Sequence, residues 1–490
     1  MIVLIESPHK ARKLSSILRS ANIEARVIAS NGRLFDLPER SLGITDSLTA
    51  AAFEPVDKEH FNAIHHELVS PEELVVASDP DEEGDLIAWT IKRFRDGLPT
   101  TRASFSDLNP PAVIRAFDEL QSIPSQEPPV LARRIFDRLL GYSGTDGMFL
   151  SRTAGTVLRA AADFTIPTRK VVHSRRHGDL MLFRECRFNF DGREVEGDST
   201  AQAPTSLPTL RHCLQVAADL KARPSEAFRA LQEIYIEGDI SYFRTDSGNV
   251  TDAALSAFKE VGRETAFDFQ LRQTDQPTGH PHPGIYATNG KGFEPSLRDV
   301  TPLAAELRQR ILNATLAVMA GPDRSVGKTN IDGELWQAYQ VLTRGDVFTY
   351  PLTGHCLETD IIHGEPLSRK SSIDIPIGKE NALAEVLMRS NVGHPSSWAN
   401  LAQNYACLAD RQGRLSSRGS EFFRKHQMEA PALLDPEIAR QIEIELLRSD
   451  VPTPEKLKTA FDLCDLSPEK LNVELEPTPA QNFSISFSPS

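Results

Sequence analysis

Two short runs without a polar residue, Ile2–Ile5 (IVLI) and Leu74–Ala77 (LVVA), constrain this chain more than any other feature. Four apolar residues in a row suit a strand covered on both faces, which is how strands of a parallel sheet read. Between them, residues 9–20 (HKARKLSSILRS) space Leu14, Ile17 and Leu18 as a helix does, and 25–29 (ARVIA) predict a further strand. A helical run around Leu86, Ile87, Trp89, Ile91 and Phe94 follows the second apolar run. The order strand, helix, strand, strand, helix predicts an α/β layer with parallel strands. Ligands of such layers sit beyond the carboxyl ends of the strands, and acids stand there: Glu6 after the first run, Asp79, Asp81 and Glu83 after the other.

Charge sharpens this. The 490 residues carry 54 Lys+Arg and 68 Asp+Glu, so 54 − 68 gives −14, which speaks against a protein coated in nucleic acid. Residues 71–85 hold seven acids and no base (−7), and 424–490 hold seven bases and twelve acids (−5), so these two stretches supply −12 of the −14. Elsewhere 9–33 carry six bases and one acid (+5), and 131–185 carry ten bases and five acids (+5). Composition is ordinary for a globular chain, at 40% apolar and 25% charged. No stretch approaches the ~18 apolar residues of a membrane span, and the start lacks a secretory signal, so a soluble cytoplasmic protein is expected. Five dispersed cysteines without a CxxC pair indicate neither a disulfide framework nor a zinc ribbon.

Beyond residue 110 the pattern turns helical at 111–120 and 131–140, strand-like at 170–202, and breaks at the Pro-rich 204–210. Helices are expected at 210–234, strands over 323–375, and helices at 380–390, 397–408 and 434–448, with a frayed Pro/Ser-rich tail.

The carboxylates predict chemistry. Asp79, Asp81 and Glu83 alternate where a strand leaves the sheet, with Glu6 on the neighbouring strand end. Like charges so close stay ionised only beside a compensating cation, and Mg2+ takes oxygen ligands of this kind. An exposed acidic turn is the alternative reading. Gly321–Thr329 is no nucleotide loop, since five residues separate its glycines where the pattern needs four.

IVLIESPHKARKL and VVASDPDEEGDLIAW together resemble the TOPRIM metal-binding domain as it occurs in type IA DNA topoisomerases. SNGRLFDLP at 30–38 is similar to the family's Ser-x-Gly-His-x-x-Asp-Leu-Pro turn, with Arg33 in place of His. LQEIYIEGDISYFRTDS at 231–247 resembles its active-site segment. The resemblance implies a TOPRIM α/β domain (1–122), a helical DNA-groove domain in two parts (123–168, 376–465), a β-rich arch in two parts (169–205, 323–375), a tyrosine domain (206–322) and a flexible tail (466–490), together forming a toroidal core. It implies Tyr242 as nucleophile, Arg244 as phosphate stabiliser, Glu6 and Lys10 for proton and phosphate handling, and Mg2+ on Glu6, Asp79, Asp81 and Glu83. Arg33, Arg102, Arg133, Arg134, Asp137, Tyr142, His282 and Arg411 are implied as DNA contacts. An unperturbed phenol has a pKa near ~10, so attack on a phosphodiester needs charge stabilisation and an acid for the leaving oxygen.

Three departures stand out. Thr153-Ala154-Gly155-Thr156-Val157-Leu158 lacks the Arg and Gln of the family's Ser-Ala-Gly-Arg-Val-Gln loop; His282–Thr288 lacks the Arg of His-Glu-Ala-Ile-Arg-Pro-Thr; and Gly393-His394-Pro395 replaces Gly-Arg-Pro. Fewer cationic contacts predict weaker, more salt-sensitive strand binding, offset in part by Arg152, Arg159 and Arg33. The expectation is an Mg2+-dependent, ATP-independent enzyme acting on single-stranded or negatively supercoiled DNA through a 5′-phosphotyrosyl intermediate, as a monomer with no nucleotide cofactor and no membrane. A catalytically impaired DNA-binding relative, or another TOPRIM enzyme such as a nuclease or primase, are the alternatives.

Overall fold

The computed structural model describes residues 1–45, 48, 50–143, 148–177, 180–183, 195–196, 206–251, 254–255, 283–288, 300–319, 328–329, 365–366, 372–471, 473, 475 and 483–486. It divides into two compact units, Met1–Ile166 with Glu385–Ser490, and Pro167–Ala384. His282 and most of Gly321–Thr329 lie outside the described residues.

In the first unit, β1 (Ile2–Ile5), α1 (Pro8–Ser20), β2 (Arg26–Ala29), β3 (Phe35–Asp36), β4 (Ala50–Pro55), α2 (Lys58–Leu68), β5 (Leu74–Val76), α3 (Glu82–Phe94), β6 (Thr100–Arg102), α4 (Pro110–Asp118) and β7 (Gln121–Ser122) follow in order. The main sheet runs β2-β1-β5-β6-β7. Its first four strands are parallel, and β7 is antiparallel to β6. Every side chain of β1 and β5 is buried, as their unbroken apolar sequence requires. Ser7 begins α1 by accepting from the His9 amide, and Pro8 fills a first-turn position that needs no amide donor.

The helices that follow, α5 (Val130–Tyr142) and α6 (Arg152–Ala162), share this unit with the late helices Ser417–Glu429, Pro436–Leu446 and Thr453–Leu463. One apolar core runs from Ile2, Leu4 and Val76 through Trp89 to Phe136, Ile442, Leu457 and Phe461. The Phe136 and Phe461 rings pack with centroids 4.9 Å apart and planes tilted by 49°. Each large apolar side chain fully buried there contributes about 1.5–3 kcal/mol.

The tail differs from expectation. Leu466 and Leu471 are buried in the same core, Val473 and Leu475 pack against it, and the strand Phe483–Ser486 pairs antiparallel with β4, giving a small sheet of that strand, β4 and β3. Residues beyond 465 are rich in Pro and Ser, but their spaced apolar residues find a hydrophobic surface that local composition does not announce. Helix α2 also went unpredicted: only Leu68 is fully buried, while Phe61 and Ile64, at helical spacing with it, pack half-buried against the core.

The second unit holds α7 (Leu210–Asp219), α8 (Pro224–Glu237) and the helix Pro302–Met319, with strand Arg169–His177 paired antiparallel to Leu180–Phe183 and to Ser372–Pro376. No helix among the described residues is long and apolar enough to cross a membrane.

Candidate active site

The acidic turn of the first unit lies between β5 and α3, beside the end of β1. Glu6 Oε1 accepts from the Asp79 amide at 2.7 Å, which ties the two strand ends together. Asp81 is the N-cap of α3, its Oδ1 accepting from the Gly84 amide at 2.8 Å. Glu82, Glu83 and Asp85 fill the first turn, where the helix dipole favours negative charge. Gly84 is required by proximity: a Cβ there would stand 1.9 Å from the Asp79 carbonyl oxygen. Part of the acidic run is therefore explained by how this helix begins.

The remaining carboxylates have protein cations. Lys10, 2% exposed, reaches from the first turn of α1 to an ion pair with Asp79, 5% exposed. Arg33 bridges Glu83 Oε2 at 3.3 Å and Asp36 Oδ2 at 3.4 Å. Arg102 pairs with Asp85 and donates to the Asp79 carbonyl at 3.0 Å. Burial above all, with the neighbouring Asp79 charge, pushes Glu6 up to about 8, while Lys10 pulls the other way. Glu6, Asp79, Asp81 and Glu83 thus stand at one turn, with Asp79 paired to Lys10 and Glu83 to Arg33. Among the described residues no three His, Cys, Asp or Glu side chains are grouped so as to hold a metal ion. The donor chemistry, all oxygen, suits Mg2+, although two of the four carboxylates, Asp79 and Glu83, are also paired with bases of the chain.

A second departure concerns the expected DNA contacts. Arg133, 7% exposed, is clamped by Glu443 Oε1 and Glu82 Oε2, both at 3.2 Å, and lies 3.8 Å from Glu83. Asp137 is taken by Arg152, whose Nε and Nη2 donate to its two oxygens at 2.8 and 3.0 Å. Arg152 also pairs with Glu443, and the Gly393 amide donates to Glu443 Oε2 at 3.2 Å. Burial alone would raise the Glu443 carboxyl, but Arg152 and Arg133 outweigh it and hold it at about 2. Arg102, Arg133 and Arg152 are therefore buried charges with partners inside the fold, whereas Asp137 is exposed. A buried charge is tolerable only when paired, and these residues meet that demand within the fold. Arg134 pairs with Asp36. Tyr142 is 41% exposed, but its hydroxyl donates to the Ser41 carbonyl at 2.6 Å and Arg138 lies over its ring. Arg411 is exposed on the 409–415 hairpin, and Arg159 is half exposed beside Asp163.

Glu443 was missed by sequence reading. Its signal was a buried helical stripe, Ala439, Ile442, Glu443 and Leu446: an acid inside an apolar stripe marks a partnered internal charge.

The tyrosine segment of the second unit is built differently. Helix α8 ends at Gly238 in the left-handed conformation (φ 81°), the usual glycine stop, and the chain turns back along its flank. Asp239, 1% exposed, accepts from Arg308 Nε at 3.0 Å, Ile240 bridges Ala287, and the Ser241 amide donates to the Tyr286 carbonyl at 2.9 Å. Tyr242, 4% exposed, packs edge-on against Tyr235, ring centroids 5.7 Å apart and planes at 78°. Arg244 donates to Gln232 Oε1 at 3.0 Å, and its guanidinium lies over Phe228 at 5.2 Å. Phe228, Gln232 and Tyr235 occur at helical spacing, so one face of α8 supports both the tyrosine and the arginine.

Residues 1–108 match the Toprim domain. The chain is 24% identical to "DNA topoisomerase I, plasmid" of Xylella fastidiosa over 82% of its own length and 72% of that protein. It is 32% identical to DNA topoisomerase 1 of Thermotoga maritima over 40% of its length, a match spanning 31% of that relative. The solved structure of full-length topoisomerase I from Thermotoga maritima superposes with a TM-score of 0.64 at 19% identity, covering 96% of this chain and 90% of the other. By sequence and by fold, this chain, whose residues 1–108 match the Toprim domain, is similar to bacterial DNA topoisomerases I.

Proposed function

We propose that this protein is a type IA DNA topoisomerase that cuts one strand through Tyr242 and reseals it without ATP. The observation that carries the reading is the shared support of Tyr242 and Arg244 by one face of α8. Tyr242 Oη attacks a backbone phosphorus, a phosphotyrosyl ester forms at the 5′ side, and the 3′ oxygen leaves with a proton. The reverse attack by that hydroxyl restores the strand, so bond energy is kept and no nucleotide is consumed. Arg244 would neutralise the phosphoryl oxygens, and Glu6 and Lys10 of the Toprim unit are assigned proton and phosphate handling. Arg411 and Arg159 are the exposed basic candidates for strand contact. Mg2+ is the proposed cofactor by donor chemistry, and it requires the ion pairs of the acidic turn to open.

Negatively supercoiled plasmid incubated with the protein and Mg2+ tests this. Stepwise relaxation, lost in Tyr242→Phe, together with a covalent adduct trapped on single-stranded oligonucleotide at Tyr242, is the expected result. Unchanged topology across Mg2+ and salt series, with no adduct, would leave a DNA-binding protein without cleavage. An adduct on another tyrosine would overturn the assignment of Tyr242.

A further inference from the structure

We propose that the first unit carries a separate binding cleft for a small amphipathic organic anion, an apolar body bearing one carboxylate, sulfonate or phosphate group. The cleft lies among α6, the end of the helix Lys379–Ser390, the helix Ser417–Glu429 and the start of Pro436–Leu446. Every residue that lines it belongs to the first unit, and none is a residue of the acidic turn or of the tyrosine segment. Its volume of about 780 Å3 falls within the ~300–1,000 Å3 of small-molecule sites. Val386, Leu434 and Ile438 supply an apolar lining, and Phe423 is the one aromatic ring among the described residues that line it. A single ring suits one compact body; single-stranded nucleic acid is held instead by a succession of stacking faces along a basic groove.

The polar lining decides the charge of the ligand. Arg159 donates through Nε to Asp163 Oδ2 at 2.7 Å, and Arg389 through Nε to Glu385 Oε1 at 2.7 Å. Each guanidinium is thus steadied at one edge by an acid one turn away along the chain. Among the described residues the terminal nitrogens of both have no hydrogen-bond acceptor. Two such forks, from two different helices, match the oxygens of an oxyanion. The acids of the lining are each already engaged, Asp163 by Arg159 and Asp435 by the Glu437 amide at 2.9 Å, where it caps the helix Pro436–Leu446. The arginine donors are therefore the larger unmet demand, and it is an anion that meets it. Both arginines are about half exposed or more, so they hold the charged group at the mouth while the apolar lining takes the body.

The probe is 8-anilinonaphthalene-1-sulfonate, and the control is N-phenyl-1-naphthylamine, the same ring system without the sulfonate; fluorescence reports both. Wild type is expected to bind the sulfonate saturably. In the double variant Arg159→Ala with Arg389→Ala its dissociation constant should rise about tenfold, the loss of charged hydrogen bonds discounted for exposure, while the amine is affected far less. Equal losses for the two probes, or none, overturn the proposal, as does the absence of saturable binding. Wild type alone also locates the site: hydrogen exchange is expected to slow at 156–165 and 386–390 when the sulfonate saturates. Protection confined to other segments overturns it. Because Arg159 is also a candidate strand contact, oligothymidylate is added last. Displacement of the sulfonate by it reassigns the cleft to nucleic acid and overturns the organic-anion reading, whereas retention supports that reading. None of these outcomes depends on strand cleavage at Tyr242.

Discussion

The acidic turn and the tyrosine segment are stabilised by opposite means. Around Asp79 and Glu443 the structure is a lattice of buried ion pairs drawn from α1, α3, α5, α6 and the helix Pro436–Leu446. Around Tyr242 it is a ring packed on a ring, an arginine laid on an aromatic face, and backbone hydrogen bonds to 284–288. A charge lattice holds many elements in register and fails abruptly when one member is removed, since the others become unpaired. An aromatic shelf loses stability in proportion to what is cut away.

The sharpest way to break this contrast is Glu443→Ala, which removes the buried carboxylate that Arg133 and Arg152 share and leaves them only partly exposed acids. The expected loss is about 3–5 kcal/mol of stability, seen as a lowered midpoint in chemical denaturation of the first unit. A loss as small as that of a surface pair would refute the lattice. Next comes acid. The Glu443 carboxyl sits at about 2 against an ordinary 4.5, so the unfolded chain takes up its proton first. The contribution is complete above pH ~4.5 and fades as pH falls toward ~2. Glu443→Gln should flatten that acid limb of the stability profile. In the tyrosine segment, Gln232→Ala leaves the Arg244 guanidinium without that acceptor, an expected cost of about 1–3 kcal/mol. Its signature is a fall in kcat larger than any rise in KM for plasmid relaxation. Tyr235→Leu removes the edge-on ring contact and should cost about 0.5–1.5 kcal/mol beyond lost area, measured by thermal unfolding. Smallest of all, Arg159→Ala breaks an exposed pair with Asp163 and should change stability by no more than about 1 kcal/mol. If that same variant weakens oligonucleotide binding and flattens its salt dependence, Arg159 is a strand contact.

What could be read from the chain follows the same divide. Strands β1, β2 and β5, helices α1, α3 and α5, and the segment around Tyr242 are written in consecutive residues, by apolar runs, helical spacing and a glycine stop. The partners that set the character of the acidic turn are not. Glu443 lies 310 residues from Arg133, and nothing local marks an arginine on α5 as buried except its place within an apolar stripe. Of the basic residues at 132–142 that resemble a strand-contacting helix, Arg133 and Arg134 also pair with acids of the chain, because charge counted along a sequence ignores which opposite charge folds against it. Strand Phe483–Ser486 was lost for a related reason: its partner strand β4 lies more than four hundred residues earlier in the chain.

The pairing of Phe483–Ser486 with β4 bears on how the molecule is made. A ribosome delivers β4 early and its neighbour strand only after residue 486 has emerged. Domains generally fold as units during synthesis, amino end first, yet this one stays short of a strand, and of the core residues Leu457, Phe461 and Leu466, until residue 486 has been translated. The Toprim layer is therefore begun long before the residues that complete it are made.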